Sequence, residues 1–178
     1  QNILLVEPVP YNIALLKENI SKYKNISIET SAVSEKNEIK KFYYVKPDAV
    51  KKLGKHWSSG IGSFDKQHIL NHKYKRFMVN DTDIEEMDVQ YLTFSNLMEK
   101  YSVSSIDLLQ IDIEGAEFQI LNSINFEKIE IKKIIFEFKH FDGTFEEGPK
   151  LQSIKEKLIK FNYQLKEIDK ENILAEKK

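Results

Sequence analysis

The stretch SIDLLQIDIEGAEFQILN, residues 105–122, decides how this chain is read. Its first part, Ile106-Asp107-Leu108-Leu109-Gln110-Ile111, is mostly apolar and predicts a buried strand of a parallel sheet. The pattern breaks at Asp112-Ile113-Glu114-Gly115. It resumes with helical spacing at Ala116-Glu117-Phe118-Gln119-Ile120-Leu121. A strand feeding a helix through a short turn is half of a βαβ unit. In open α/β sheets the ligand site lies beyond the carboxyl ends of the strands, where this turn falls. Asp112, Glu114 and Glu117 crowd that edge, with Gly115 able to take a positive φ. The same spacing also suits a plainer arrangement, in which Asp112 caps the helix and the glutamates favour its N-terminal dipole.

Working outward, Ile3-Leu4-Leu5-Val6 is a continuous apolar run and predicts another buried strand. Glu7 ends it, before Pro8-Val9-Pro10, which delay the helix predicted over 11–22 with Ile13, Leu16 and Ile20 inward. A carboxylate at that place in a Rossmann-like unit accepts the two ribose hydroxyls of a nucleoside. Residues 26–30 and 38–45 predict strands, the latter rich in the strand formers Phe42, Tyr43 and Tyr44. Residues 47–80 are the least regular and read as an insertion; within them a short helix is predicted over 64–72 and a strand over 76–80. Trp57 among Ser58 and Ser59 suits a substrate lid, offering a stacking face beside hydroxyls. His68 and His72, four apart, match a metal pair or simply a solvated helix face.

Residues 84–91 extend again, and Thr93 or Ser95 caps a helix leading into the acidic strand. Beyond it, residues 133–140 predict a strand whose polar end brings Glu137 and His140 to the sheet edge that carries Asp112. Imidazole titrates near neutral pH, so His140 is a candidate general base, with the carboxylates Asp112 and Glu137 as alternatives. Oxygen ligands in a cleft suit magnesium, which Asp112 and Glu137 could bridge. Pro149 opens a helix with Leu151, Ile154, Leu158 and Phe161 facing the sheet, and 163–168 with 173–175 predict an antiparallel hairpin.

The chain has 178 residues, the length of one domain, 1–178, able to bury a single core. Its 27 basic and 28 acidic residues give a net charge of -1, so no bulk pull toward nucleic acid or a membrane surface is expected. No apolar run approaches the ~20 residues of a membrane-spanning helix. The absence of cysteine removes disulfides, thiolate zinc sites and a cysteine nucleophile, which fits a cytoplasmic protein.

Ile111-Asp112-Ile113-Glu114-Gly115-Ala116-Glu117, followed by Ile120-Leu121, resembles the signature of FkbM-family methyltransferases. Glu7-Pro8 is a weaker second anchor, and the order of elements agrees along nearly the whole chain. The resemblance implies a three-layer Rossmann-like α/β sandwich, mostly parallel, with a C-terminal antiparallel hairpin. It implies methyl transfer from S-adenosylmethionine to the hydroxyl of a sugar or other small metabolite. It further implies that Glu7 holds the cofactor's ribose, that Ala32 and Val33 lie beside its adenine, and that Asp112 lies near the reacting centre. The chain departs from the family in lacking a first strand and glycine-rich loop: none of its six glycines precedes Gly54. This suggests the carboxyl-terminal part of a longer polypeptide, or a short form that holds the cofactor poorly. The alternative is a non-catalytic module that keeps the fold as a binding surface. A nucleotide-sugar-binding domain also suits Glu7 but leaves the acidic turn unexplained.

Overall fold

The computed structural model describes residues 2–53, 60, 62–71, 79–113, 116–142 and 147–178. They pack as two units: Gln1–Ala32 with Lys36–Tyr91, and Val33–Glu35 with Leu92–Lys178.

In the first unit, strand β1 (Ile3–Val6) pairs in parallel with β2 (Ile26–Glu29), and helix α1 (Pro10–Ile20) connects them. Pro10 sits in the first turn of α1, where its missing N–H costs nothing, and Val9 before it is extended. Strand β3 (Ala32–Ser34) has only Ala32 in this unit; β4 (Glu38–Val45), helix α2 (Pro47–Leu53), β5 (Gly62–Ser63), helix α3 (Lys66–Asn71) and β6 (Ile84–Thr93), the last as far as Tyr91, follow within it. These strands form a sheet in the order β3-β6-β4-β5. β4 and β6 run antiparallel with Phe42 opposite Met87 and Val45 opposite Ile84. Strand alternation sends Phe42 and Tyr44 to one face, where they meet Val9, Ala32, Val89 and Tyr91. Val45 begins a second cluster with Ala49, Ile69, Val79 and Ile84 under α2 and α3. Outside, Lys41 pairs across the strands with Glu86 at 3.4 Å and Asp88 at 3.3 Å.

The second unit opens with helix α4 (Phe94–Lys100), capped by Thr93, whose hydroxyl accepts the Asn96 N–H at 3.1 Å. Strand β7 (Ser105–Ile111), helix α5 (Glu117–Ser123) and strand β8 (Glu130–Glu137) form a βαβ unit with β7 and β8 parallel. Helix α6 (Pro149–Lys160) leads through Asn162, in the left-handed region at φ 65°, into the hairpin β9 (Tyr163–Glu167) and β10 (Asn172–Lys177). The sheet order is β7-β8-β10-β9. Leu151, Ile154 and Leu158 recur along α6 and are all buried, as are Ile131, Ile134 and Phe136 of β8 and Ile173 and Ala175 of β10. Each leucine, isoleucine and phenylalanine among them contributes about 1.5–3 kcal/mol. The Lys157 ammonium donates to the carbonyls of Leu121 (3.1 Å), Asn122 (2.6 Å) and Ile124 (3.0 Å), closing the open end of α5. Burial pushes this lysine below its ordinary pKa.

Several expectations need correction. Parallel pairing does not dominate among the described residues: β1–β2 and β7–β8 are parallel, but β4–β5, β4–β6, β8–β10 and β9–β10 are antiparallel. Nor are the two leading strands deeply buried. Ile3 is 45% exposed and Leu108 52%; among the described residues β1 and β7 each pair with a single strand. Residues 32–34 form a short strand, and 47–53, within the stretch read as irregular, form a helix. Val79 and Asn80 are not in a strand, and 76–78 lie outside the described residues.

Candidate active site

Each unit carries acids at the carboxyl ends of its parallel strand pair. In the second unit Ile111 of β7 lies opposite Phe136 of β8, so Asp112 and Glu137 follow on neighbouring strand ends. Glu117, the first residue of α5, turns inward beside them. One carboxylate oxygen from each of Asp112, Glu117 and Glu137 lies within 4.8 Å of the other two. Asp112 is exposed, whereas Glu117 and Glu137 are buried. Asp112 does not cap α5: Ala116 holds the N-cap position and makes no side-chain cap bond.

Three acids this close need compensation. Lys139 supplies it, pairing with Glu137 and, at 3.2 Å, with Glu171 in the β9–β10 turn. That turn is prepared for the purpose. Asp169 accepts the N–H groups of Glu171 and Asn172, both at 2.8 Å, and the Phe138 N–H donates to the Glu171 carbonyl at 2.9 Å. The His140 Nε2 stands 3.6 Å from Glu137 Oε2, just beyond hydrogen-bond length. Burial holds Glu137 above the usual carboxylate range, with Asp112 adding to the effect and Lys139 and His140 opposing it. Burial alone would pull Lys139 down, but Glu137 and Glu171 outweigh it and hold the ammonium above its ordinary value. The arrangement can hold a hydroxyl and accept its proton.

In the first unit the Glu7 N–H donates to the Glu29 carbonyl at 3.0 Å, placing these two acids on adjacent strand ends. Glu7 is half-buried; its Oε1 accepts the Val9 N–H at 2.7 Å and its Oε2 accepts from the Asn12 amide at 3.2 Å. Glu29 is buried and accepts the Ser31 N–H at 2.9 Å. Ser31 is itself buried, and its hydroxyl has no hydrogen-bond partner among the described residues. Ala32 beside it is buried and Val33 half-buried. A small, apolar strand start next to an unsatisfied hydroxyl and a strand-end carboxylate fits a nucleoside, which presents both a flat ring and a diol.

Burial raises the pKa of Glu7 from 4.5, against the lowering effect of its Val9 and Asn12 bonds. The folded state therefore favours the protonated form. Its contribution to stability is complete below pH 4.5 and is lost as the pH rises through the folded value. Glu7→Gln removes this dependence. Thermal unfolding of both proteins from pH 4 to 8 should show the wild type losing stability relative to Glu7→Gln as pH rises. A constant difference would contradict the buried-carboxylate assignment.

Trp57, Ser58 and Ser59, expected to form a lid, lie outside the described residues, as do His72, Glu114 and Gly115. His68 is on α3, so the suggested imidazole pair has one described member. Lys139, Glu171 and Glu29 are candidate site residues that sequence reasoning did not select, whereas Glu117 is one of the acids expected at this edge. Glu117 had a signal in its place at the head of the helix after an acidic strand end. Lys139 and Glu171 are 32 positions apart, and no local pattern joins them.

The model of the Methyltransferase FkbM domain matches residues 1–168. No curated protein and no solved structure matches the chain.

Proposed function

Because the chain belongs to the FkbM methyltransferase domain family, we propose that it catalyses methyl transfer from S-adenosylmethionine to a hydroxyl of a small molecule such as a sugar. The observation that carries this reading is the convergence of Asp112, Glu117 and Glu137 within 4.8 Å at the strand ends. S-adenosylmethionine, when bound, supplies a methyl group activated on a sulfonium. The chain's own work is positioning and proton removal, since an in-line displacement gains most from alignment. Glu7 is assigned to the ribose hydroxyls, and Ala32 and Val33 to the adenine. Asp112 is assigned to orient the acceptor near the reacting carbon and to contact the cofactor. Glu137 or His140 is assigned to take the hydroxyl proton as the new O–C bond forms. The hard oxygen donors of Asp112 and Glu137 would also suit magnesium. With the Lys139 ammonium already on Glu137, the proposed chemistry routes no step through a metal. The near-zero net charge fits a small-molecule acceptor better than nucleic acid or a membrane surface.

One observation favours a second reading, a non-catalytic binding module: both Glu7 oxygens already hold groups of their own turn. Titration of S-adenosylhomocysteine into the chain separates the two. Catalysis predicts binding in the micromolar range, weakened at least about tenfold by Glu7→Ala, the worth of a hydrogen bond to a charged group. No binding by the wild type would remove the cofactor assignment from this chain and leave the module reading.

A further inference from the structure

We propose that Glu117 is a positioning residue, which fixes the backbone directly after Asp112 and thereby sets where the Asp112 carboxylate stands. Its functional consequence rests on the methyltransferase reading; its geometry does not. Glu117 is 0% exposed, among the most deeply buried side chains of its unit. Burying a carboxylate is costly unless hydrogen bonds answer it. One such bond runs backward out of α5: Glu117 Oε1 accepts the N–H of Ile113 at 2.8 Å. Ile113 is 38% exposed and Asp112 is exposed as well. Asp112 and Ile113 therefore receive little packing of their own, and the Glu117 bond does for Ile113 what core contacts do elsewhere. At 2.8 Å this bond answers a buried carboxyl oxygen that would otherwise be left unsatisfied, so breaking it costs both the turn and the acid.

The side chain has the length the task needs. One of its oxygens lies within 4.8 Å of one oxygen each from Asp112 and Glu137, so the acid that pins Ile113 also borders the place where Asp112 acts. The bond reaches the residue next to Asp112, four positions back from Glu117.

The test measures amide exchange at Ile113 and S-adenosylhomocysteine affinity in the wild type, Glu117→Gln, Glu117→Leu and Asp112→Ala. The glutamine keeps an oxygen acceptor and should leave Ile113 protected. The leucine should speed its exchange about two- to tenfold, the net worth of one hydrogen bond. Protection at Ile134 and Phe136 reports in the same spectra that the sheet remains folded. If the leucine variant does not fold, Glu117→Asp keeps the carboxyl group but shortens the reach and makes the same test. Affinity should fall with Glu117→Leu, recover with Glu117→Gln, and fall no further when Glu117→Leu is added to Asp112→Ala, because the two act through one carboxylate. Unchanged exchange at Ile113, or an undiminished Glu117→Leu effect in the Asp112→Ala background, overturns the proposal. A wild type that does not bind S-adenosylhomocysteine overturns the cofactor assignment instead, and exchange at Ile113 alone then decides the role of Glu117.

Discussion

Asp112→Ala should lower methyl transfer by about 10²- to 10⁴-fold, the range typical of removing a positioned acid or base. In barrier terms this is about 3–5 kcal/mol. The stability of the fold should hardly change. Asp112 is exposed, follows the last residue of β7, and does not cap α5. Its surroundings explain why so exposed a group should matter. Glu117 and Glu137 are buried beside it, and Lys139 and His140 face Glu137, so Asp112 is the solvent-facing member of a set whose other members are held in place. Asp112→Asn separates two roles. If the residue only donates or accepts hydrogen bonds, the amide should keep much of the activity. If its charge orients the acceptor or attracts a proton, the amide should be nearly as damaging as alanine. The measurement is transfer of a labelled methyl group to a hydroxylated acceptor that the wild type methylates, with thermal unfolding as control. Full activity in Asp112→Ala would sink the assignment.

Much of this was legible in the sequence because the information was local. The β7–α5 unit follows from an apolar run, an acidic turn and a change of period within eighteen residues, 105–122. The hairpin of β9 and β10 follows from two short strand patterns around Asp169-Lys170-Glu171, with Asp169 organising the turn through its own neighbours' N–H groups. What local pattern does not carry is pairing across the fold. An apolar run such as Ile3-Leu4-Leu5-Val6 reads as buried because it would be buried between two neighbours, and the number of neighbours is a tertiary fact. The same holds for the sheet of β3, β6, β4 and β5. Its antiparallel register rests on contacts between residues as far apart as Glu38 and Tyr91. At the site, the acids were visible and their counter-charge was not. Lys139 looks like an ordinary strand-end lysine until Glu171 is brought to it from the hairpin. Glu117 looks like a helix-dipole residue until its bond to Ile113 is seen.

The other large effect should fall on stability. Phe136→Ala is expected to destabilise the second unit by about 3–5 kcal/mol, the usual range for emptying a fully buried aromatic site. Phe136 is 0% exposed on a central strand, opposite Ile111 of β7 and Ile173 of β10. Its ring stacks on Phe141 at 6.0 Å and 15°, and Phe141 meets Phe118 of α5 edge-on at 5.7 Å. The removed volume would lie beside the strand ends that carry the acids, since Phe136 directly precedes Glu137 on β8 and pairs with Ile111, the residue before Asp112. A smaller loss is expected from Phe136→Leu, which refills most of the space. Urea unfolding measures the difference, and a cost below about 1 kcal/mol for the alanine would mean that neighbouring side chains collapse into the site and that Phe136 is not its packed centre. Paired with Asp112→Ala, the variant separates two ways of losing activity. Asp112→Ala should lose turnover with the fold intact. Phe136→Ala should lose turnover only as far as its population unfolds, so that cooling or a stabilising osmolyte restores activity to Phe136→Ala but not to Asp112→Ala.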